Sequence, residues 1–154
     1  MEFKRTNLNP KEWKHEGDCV VRALAAANNM SWEKTYSLLC EIGLKKCRMP
    51  NSKYTYEQLL KNYDWIKYKM PKHSDGRRYT VKELADEKPN DRIVVSMANH
   101  LSFIDKGTLV DTWNCGNKSV GNYWIKSRSK EQIEKDLNDL AKDLFGFMSK
   151  RGVL

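Results

Sequence analysis

A cysteine that opens a helix is placed to act as a nucleophile, and Cys19 stands in such a position in the run Gly-Asp-Cys-Val-Val-Arg-Ala-Leu-Ala-Ala-Ala-Asn over residues 17–28. Asp18 is a good N-cap, and the alanine-rich run behind it has high helix propensity and a small cross-section, which predicts a central, buried helix. A sulfur in the first turn of that helix lies in the positive end of the macrodipole. It also lies beside backbone N–H groups that have no acceptor within the helix and can hold an oxyanion. The plain alternative is a cysteine that fills the core as a small apolar residue.

A thiol nucleophile needs a base, and histidine is the usual one. The chain has three histidines. His15 falls in an irregular lead-in and His73 in the basic loop 71–78, where each reads as a surface residue. His100 opens an apolar run, Leu101 to Asp105, and Lys106-Gly107 makes a two-residue turn into a second run from Thr108 to Trp113. That turn fixes a register in which paired numbers sum to 213, so His100 faces Trp113 and lies diagonal to Asp111. Asp111 and Trp113 share the face that His100 uses. A carboxylate there accepts the Nδ1 proton, leaving Nε2 for the thiol, and the indole shields the bond. Asn114, three residues on, is the rival orienter. Trp113 and Trp124 read as core or cleft-wall aromatics.

A helix-start cysteine, then a strand carrying histidine, then an acid or amide on the next strand resembles the papain-like cysteine peptidase superfamily, in its small bacterial or phage-type form. The resemblance spans about residues 13–125. It implies an α+β fold with N-terminal helices packed on an antiparallel sheet and an added C-terminal helix. It also implies acyl transfer through a thioester, with Cys19 as nucleophile, His100 as base, Asp111 as orienter, and a protein or peptide substrate. Family members commonly carry a glutamine or other polar donor ahead of the cysteine for the oxyanion. Glutamine occurs here only at Gln58 and Gln132, so Asn7, Asn9 and His15 are the substitutes within reach, with Asp18 beside the cysteine as a cap or oxyanion-side neighbour. Two other readings use the same residues. One is a transglutaminase-type acyltransferase on the same triad, and the other is a non-catalytic protein of this fold that binds nucleic acid or a host protein through its basic surface.

The elements that must position these residues follow from pattern. Residues 1–16 read as a lead-in anchored by Trp13. Residues 17–90 read as mainly helical: Ser31 caps a second helix that Gly43 stops, Thr55 and Gln58 form a capping box, Tyr63 to Met70 alternates as a strand, and Thr80 with Glu83 caps a short helix around Val81 to Asp86. Residues 91–127 read as an antiparallel sheet, from the β-branched run at Ile93 to Met97 through the short strand Tyr123 to Ile125. A final helix over 129–148, capped by Ser129 with Gln132, carries Ile133, Leu137, Leu140, Leu144 and Phe147 at spacings of four, three, four and three. That stripe is expected to dock on the chain's own sheet, with a dimer seam as the other outcome.

Composition bounds the partners. A chain of 154 residues with 40% hydrophobic and 31% charged residues is one domain that needs no metal or disulfide staple. The four cysteines are irregularly spaced and fit no zinc pattern, so free thiols without cofactor or metal are expected. No apolar leader and no 18-residue apolar window occurs, which points to a cytoplasmic protein with no membrane partner. A net charge of +8 favours an acidic partner or nucleic acid, although the basic residues form small separate clusters rather than one block. Oligomeric state is not readable at this level.

Overall fold

The computed structural model describes residues 1–127 and 130–152. Its elements in chain order are β1 (Glu2–Arg5), α1 (Cys19–Asn28), α2 (Trp32–Lys46), α3 (Lys53–Asn62), β2 (Trp65–Tyr68), α4 (Val81–Glu87), β3 (Arg92–Met97), β4 (His100–Asp105), β5 (Thr108–Asp111), β6 (Tyr123–Lys126) and α5 (Lys130–Lys150). This is a mixed α+β fold: most of the helices precede most of the strands, and α5 follows β6.

The six strands form one sheet in the order β1-β5-β4-β3-β6-β2. All neighbours are antiparallel except β1, which lies parallel to β5 with Arg5 opposite Asp111. The expected wholly antiparallel sheet is therefore mixed, and it draws strands from the lead-in and the helical half as well as from 91–127. The turn reading holds. Lys106 and Gly107 both take positive φ, 47° and 83°, as a two-residue hairpin turn with the strands' own twist requires. Phe103 opposes Val110 and Asp105 opposes Thr108. Strand β5 stops at Asp111, two residues short of the expected Trp113.

Both faces of the sheet are covered, which is why the β3 run is continuously apolar rather than alternating. Val94, Leu101, Phe103 and Trp124 pack with Leu24, Leu39 and Leu59 of α1 to α3 on one side. Ile93, Val95, Ile104 and Leu109 pack with Val81, Leu84 and Val120 on the other. Helix α1 lies against β4, so its alanines leave room for the leucine and phenylalanine beneath.

Local punctuation differs from expectation at several points. Gly43 does not stop α2, which runs on to Lys46 and ends at Cys47 in the left-handed region. The glycine is needed because the Arg48 carbonyl folds back where a Cβ would stand. The cap of α3 is Ser52, not Thr55; Thr55 is buried in the first turn and its hydroxyl donates to the Met49 carbonyl at 2.8 Å. The Thr80–Glu83 capping box forms as read. Trp13 is 63% exposed and anchors nothing; the lead-in is tied down instead by β1 and by buried Asn9.

The α5 stripe does not dock on the sheet. Ile133, Leu137, Leu140, Leu144 and Phe147 are all exposed. The capping role read for Ser129 lies outside the described residues. Among the described residues, no helix is long and apolar enough to cross a membrane.

Candidate functional site

The start of α1, the start of β4 and the end of β5 meet at one end of the sheet. The hairpin register sets Asp111 opposite Ser102 and diagonal to His100, and all three side chains converge. The His100 Nε2 lies 2.7 Å from Asp111 Oδ2, and the Ser102 hydroxyl donates to the same oxygen at 2.6 Å. Asp111 Oδ1 accepts the Thr112 N–H at 2.7 Å. The carboxylate is thus fixed on both oxygens, and it fixes the ring. With Nε2 committed to Asp111, Nδ1 is the nitrogen left for a thiol; the two ring nitrogens play the reverse of the roles expected from strand geometry alone.

Cys19 completes the group. Its half-buried thiol lies within electrostatic reach of the His100 ring and of the backbone N–H groups of Leu101 and Val20. Burial raises the thiol, but the His100 ring and the two N–H groups outweigh it, so Cys19 ionises below the ordinary thiol value. For His100 burial works toward the neutral ring. The Asp111 carboxylate, helped by Cys115 and Cys19, overcomes it and pushes the imidazolium up to about 11. Burial would likewise raise Asp111, and its bonds from His100 and Ser102 hold it below the usual carboxylate range. All three shifts favour a thiolate beside an imidazolium.

Asp18 has a different job from the one expected. Its side chain caps no N–H of α1. It is buried, forms an ion pair with Arg22, and accepts the Asn9 side-chain N–H and the Trp32 indole N–H at 2.9 Å each. An anionic acceptor spent on three partners is no oxyanion donor. It ties the lead-in, α1 and α2 together behind the cysteine. Its absence from the cap leaves the N–H groups of the first turn without the acceptor that a capping side chain supplies, since the first helical bond is Arg22 N–H to the Asp18 carbonyl at 3.0 Å. Asn9 is held by Asp18, Asn7 accepts the Asn9 N–H at 3.0 Å, and His15 is exposed at φ 62°. None of the three side chains substitutes for the glutamine.

Asn114 is not the orienter: its side-chain oxygen accepts the Gly116 N–H at 3.0 Å and shapes the turn after β5. Trp113 stands where the register put it, 41% exposed with its ring 5.1 Å from that of His100, and walls the group on the solvent side. Trp124 is no cleft wall; it is buried in the core edge-on to Tyr56.

Three participants were missed. Ser102 was within reach, because 102 and 111 also sum to 213 and a serine opposite an aspartate invites a hydrogen bond. Arg22 carried a weaker signal: one helical turn past Asp18 it pairs with that residue, and its guanidinium also reaches Asp111 Oδ1 at 3.9 Å. Cys115 carried none. It lies past the end of β5, and only the turn over Asn114 brings its sulfur to 3.9 Å from Asp111 Oδ2. Together His100, Asp111 and Cys115 present ligand-type atoms all within 4.8 Å of one another. In comparisons with known proteins, the chain matches no family model, no curated protein and no solved structure.

Proposed function

We propose that this protein is a thiol-dependent acyl-transfer enzyme of papain-like architecture, acting on an amide or isopeptide bond in a protein or peptide. The observation that carries the reading is the Cys19 thiol against a His100 ring whose other nitrogen is held by Asp111. The order of elements supports it: nucleophile at the start of a helix, base and orienter on adjacent antiparallel strands.

The Cys19 thiolate attacks the carbonyl carbon, and the oxygen takes the electron pair as an oxyanion. The uncapped N–H groups at the start of α1 stabilise that oxyanion in place of a side-chain donor. The tetrahedral adduct collapses to a thioester as His100 Nδ1 gives its proton to the leaving amine. Water or an amine then attacks the thioester, Nδ1 takes the proton of the attacking group, and the thiolate leaves. Asp111 stays ionised throughout and holds the imidazolium in place.

Iodoacetamide tests the reading, because accessibility and activation rank the thiols differently. Cys47 is exposed and Cys115 is buried, so access alone makes Cys47 the fastest. Activation makes Cys19 alkylate at least about tenfold faster than Cys47 near neutral pH, with the advantage lost in His100→Ala. Peptide mass spectrometry that finds Cys47 labelled first would remove the nucleophile.

A further inference from the structure

The acyl-transfer steps do not use Cys115, yet it is almost wholly buried, 1% exposed, beside the group those steps depend on. We infer that His100, Asp111 and Cys115 form a zinc site, and that zinc there silences Cys19. The binding half stands on the geometry of the three donors; the silencing half rests on the thiol reading above.

One imidazole, one carboxylate and one thiolate are the donor types that zinc takes, and three protein ligands leave a fourth position open. Bonds of about 2.0 Å to nitrogen and oxygen and about 2.3 Å to sulfur set tetrahedral donors roughly 3.3 to 3.6 Å apart. The Cys115 sulfur and Asp111 Oδ2 stand 3.9 Å apart, and His100 Nε2 and Asp111 Oδ2 stand 2.7 Å apart. These two pairs are within several tenths of an ångström of the required span, from opposite sides, all three donors lie within 4.8 Å of one another, and side-chain rotation covers the difference. The surroundings are those of a supported site. Ser102 and the Thr112 N–H already hold the carboxylate, as outer partners of a ligand do. Hard cations fit poorly, because Mg²⁺ and Ca²⁺ take oxygen donors.

Occupancy rearranges protons. Zinc bonds Cys115 as thiolate and His100 through Nε2, so the S–H proton and the Nε2–H proton both leave as the ion enters. His100 then keeps its proton on Nδ1 and carries no net charge of its own. With its proton on Nδ1, the ring has no lone pair with which to take the proton of Cys19. A metal that replaces the His100–Asp111 hydrogen bond therefore removes the base that Cys19 depends on.

Two measurements test the two halves. For binding, the full-length Cys19→Ser/Cys40→Ser/Cys47→Ser protein keeps Cys115 as its sole thiol and is titrated with Co²⁺. The expected result is one equivalent bound, with a thiolate-to-cobalt charge-transfer band that zinc abolishes; no such band overturns the site. For silencing, Cys19 alkylation in the otherwise native protein is compared with and without Zn²⁺. A slowing of at least tenfold, reversed by EDTA, is expected, and the ratio should return to near one in Cys115→Ser. Protection by zinc that persists in Cys115→Ser places the ion elsewhere and overturns the proposal. A cobalt band together with unslowed alkylation keeps the site and overturns only the silencing. If Cys19 proves no faster than Cys47 in metal-free protein, the acyl-transfer reading fails while the cobalt result still stands or falls by itself.

Discussion

Cys19 and His100 perturb each other in opposite directions, and the protons that the folded and unfolded chains hold set the consequence for stability. An imidazolium raised from 6.5 to about 11 contributes stability that is full below 6.5 and is lost as pH rises toward 11. A thiol lowered from 9.0 contributes stability that is present above 9.0 and is lost as pH falls through its folded value. Between the lowered thiol value and 9.0 the unfolded chain holds one of the two protons, on sulfur, and the folded pair also holds one, on the ring. There the two slopes cancel. The expected profile is a flat shelf just below pH 9.0 and a fall above it. Cys19→Ser removes the sulfur's opposing slope while Asp111 still raises His100, so its stability should fall with pH across the same shelf. Urea midpoints measured through that range check this; parallel profiles for the two proteins would mean that no thiolate–imidazolium pair exists.

At the scale of elements, the site depends on how α1 is held, and Asp18 holds it. Its buried carboxylate joins Asn9 of the lead-in, Arg22 of α1 and Trp32 of α2. Removing one member of a buried charge pair leaves the other uncompensated, which costs about 3 kcal/mol or more. Asp18→Ala is therefore expected to lose about that much in urea unfolding, and to slow Cys19 alkylation because the helix start shifts against β4. A loss under about 1 kcal/mol would show that the lead-in and β1 alone position the helix. Arg22 adds a link that the hairpin lacks: by reaching from Asp18 toward Asp111, it couples the helix that carries Cys19 to the strand that carries Asp111.

For the molecule as a whole, stability resides in the two apolar layers on either side of the sheet, and α5 belongs to neither. Its stripe has the four-three spacing of a packed face, yet Leu140 is 66% exposed and Leu137 60%. Deleting residues 130–154 should consequently leave the melting temperature within about 2 °C, since little buried apolar area is lost. It should also raise solubility by removing an exposed apolar strip. Circular dichroism melts of the two lengths decide the matter, and a drop of more than about 5 °C would mean that the helix packs on the domain after all.

Local patterns in the sequence were sufficient for the α1 start, the Thr80–Glu83 cap, the Lys106-Gly107 turn and, through that turn, the meeting of His100 with Asp111 and Trp113. Each of these rests on near neighbours or on a register that one tight turn transmits along two strands, and such information is contained in a short window. What spans the chain was decided only in three dimensions. Strand β1 joins β5 across about a hundred residues, which makes the sheet mixed. Gly43 reads as a helix stop until the Arg48 carbonyl is seen against it. Asp18 reads as a cap until Arg22, Asn9 and Trp32 compete for its oxygens and win, because a buried carboxylate goes to the donors that desolvation would otherwise strand. Cys115 reaches Asp111 through a turn that no spacing rule predicts. The ring nitrogen assigned to Asp111 turned on the same point: strand register brings the two side chains together, but the approach of α1 decides which edge of the imidazole remains for the thiol.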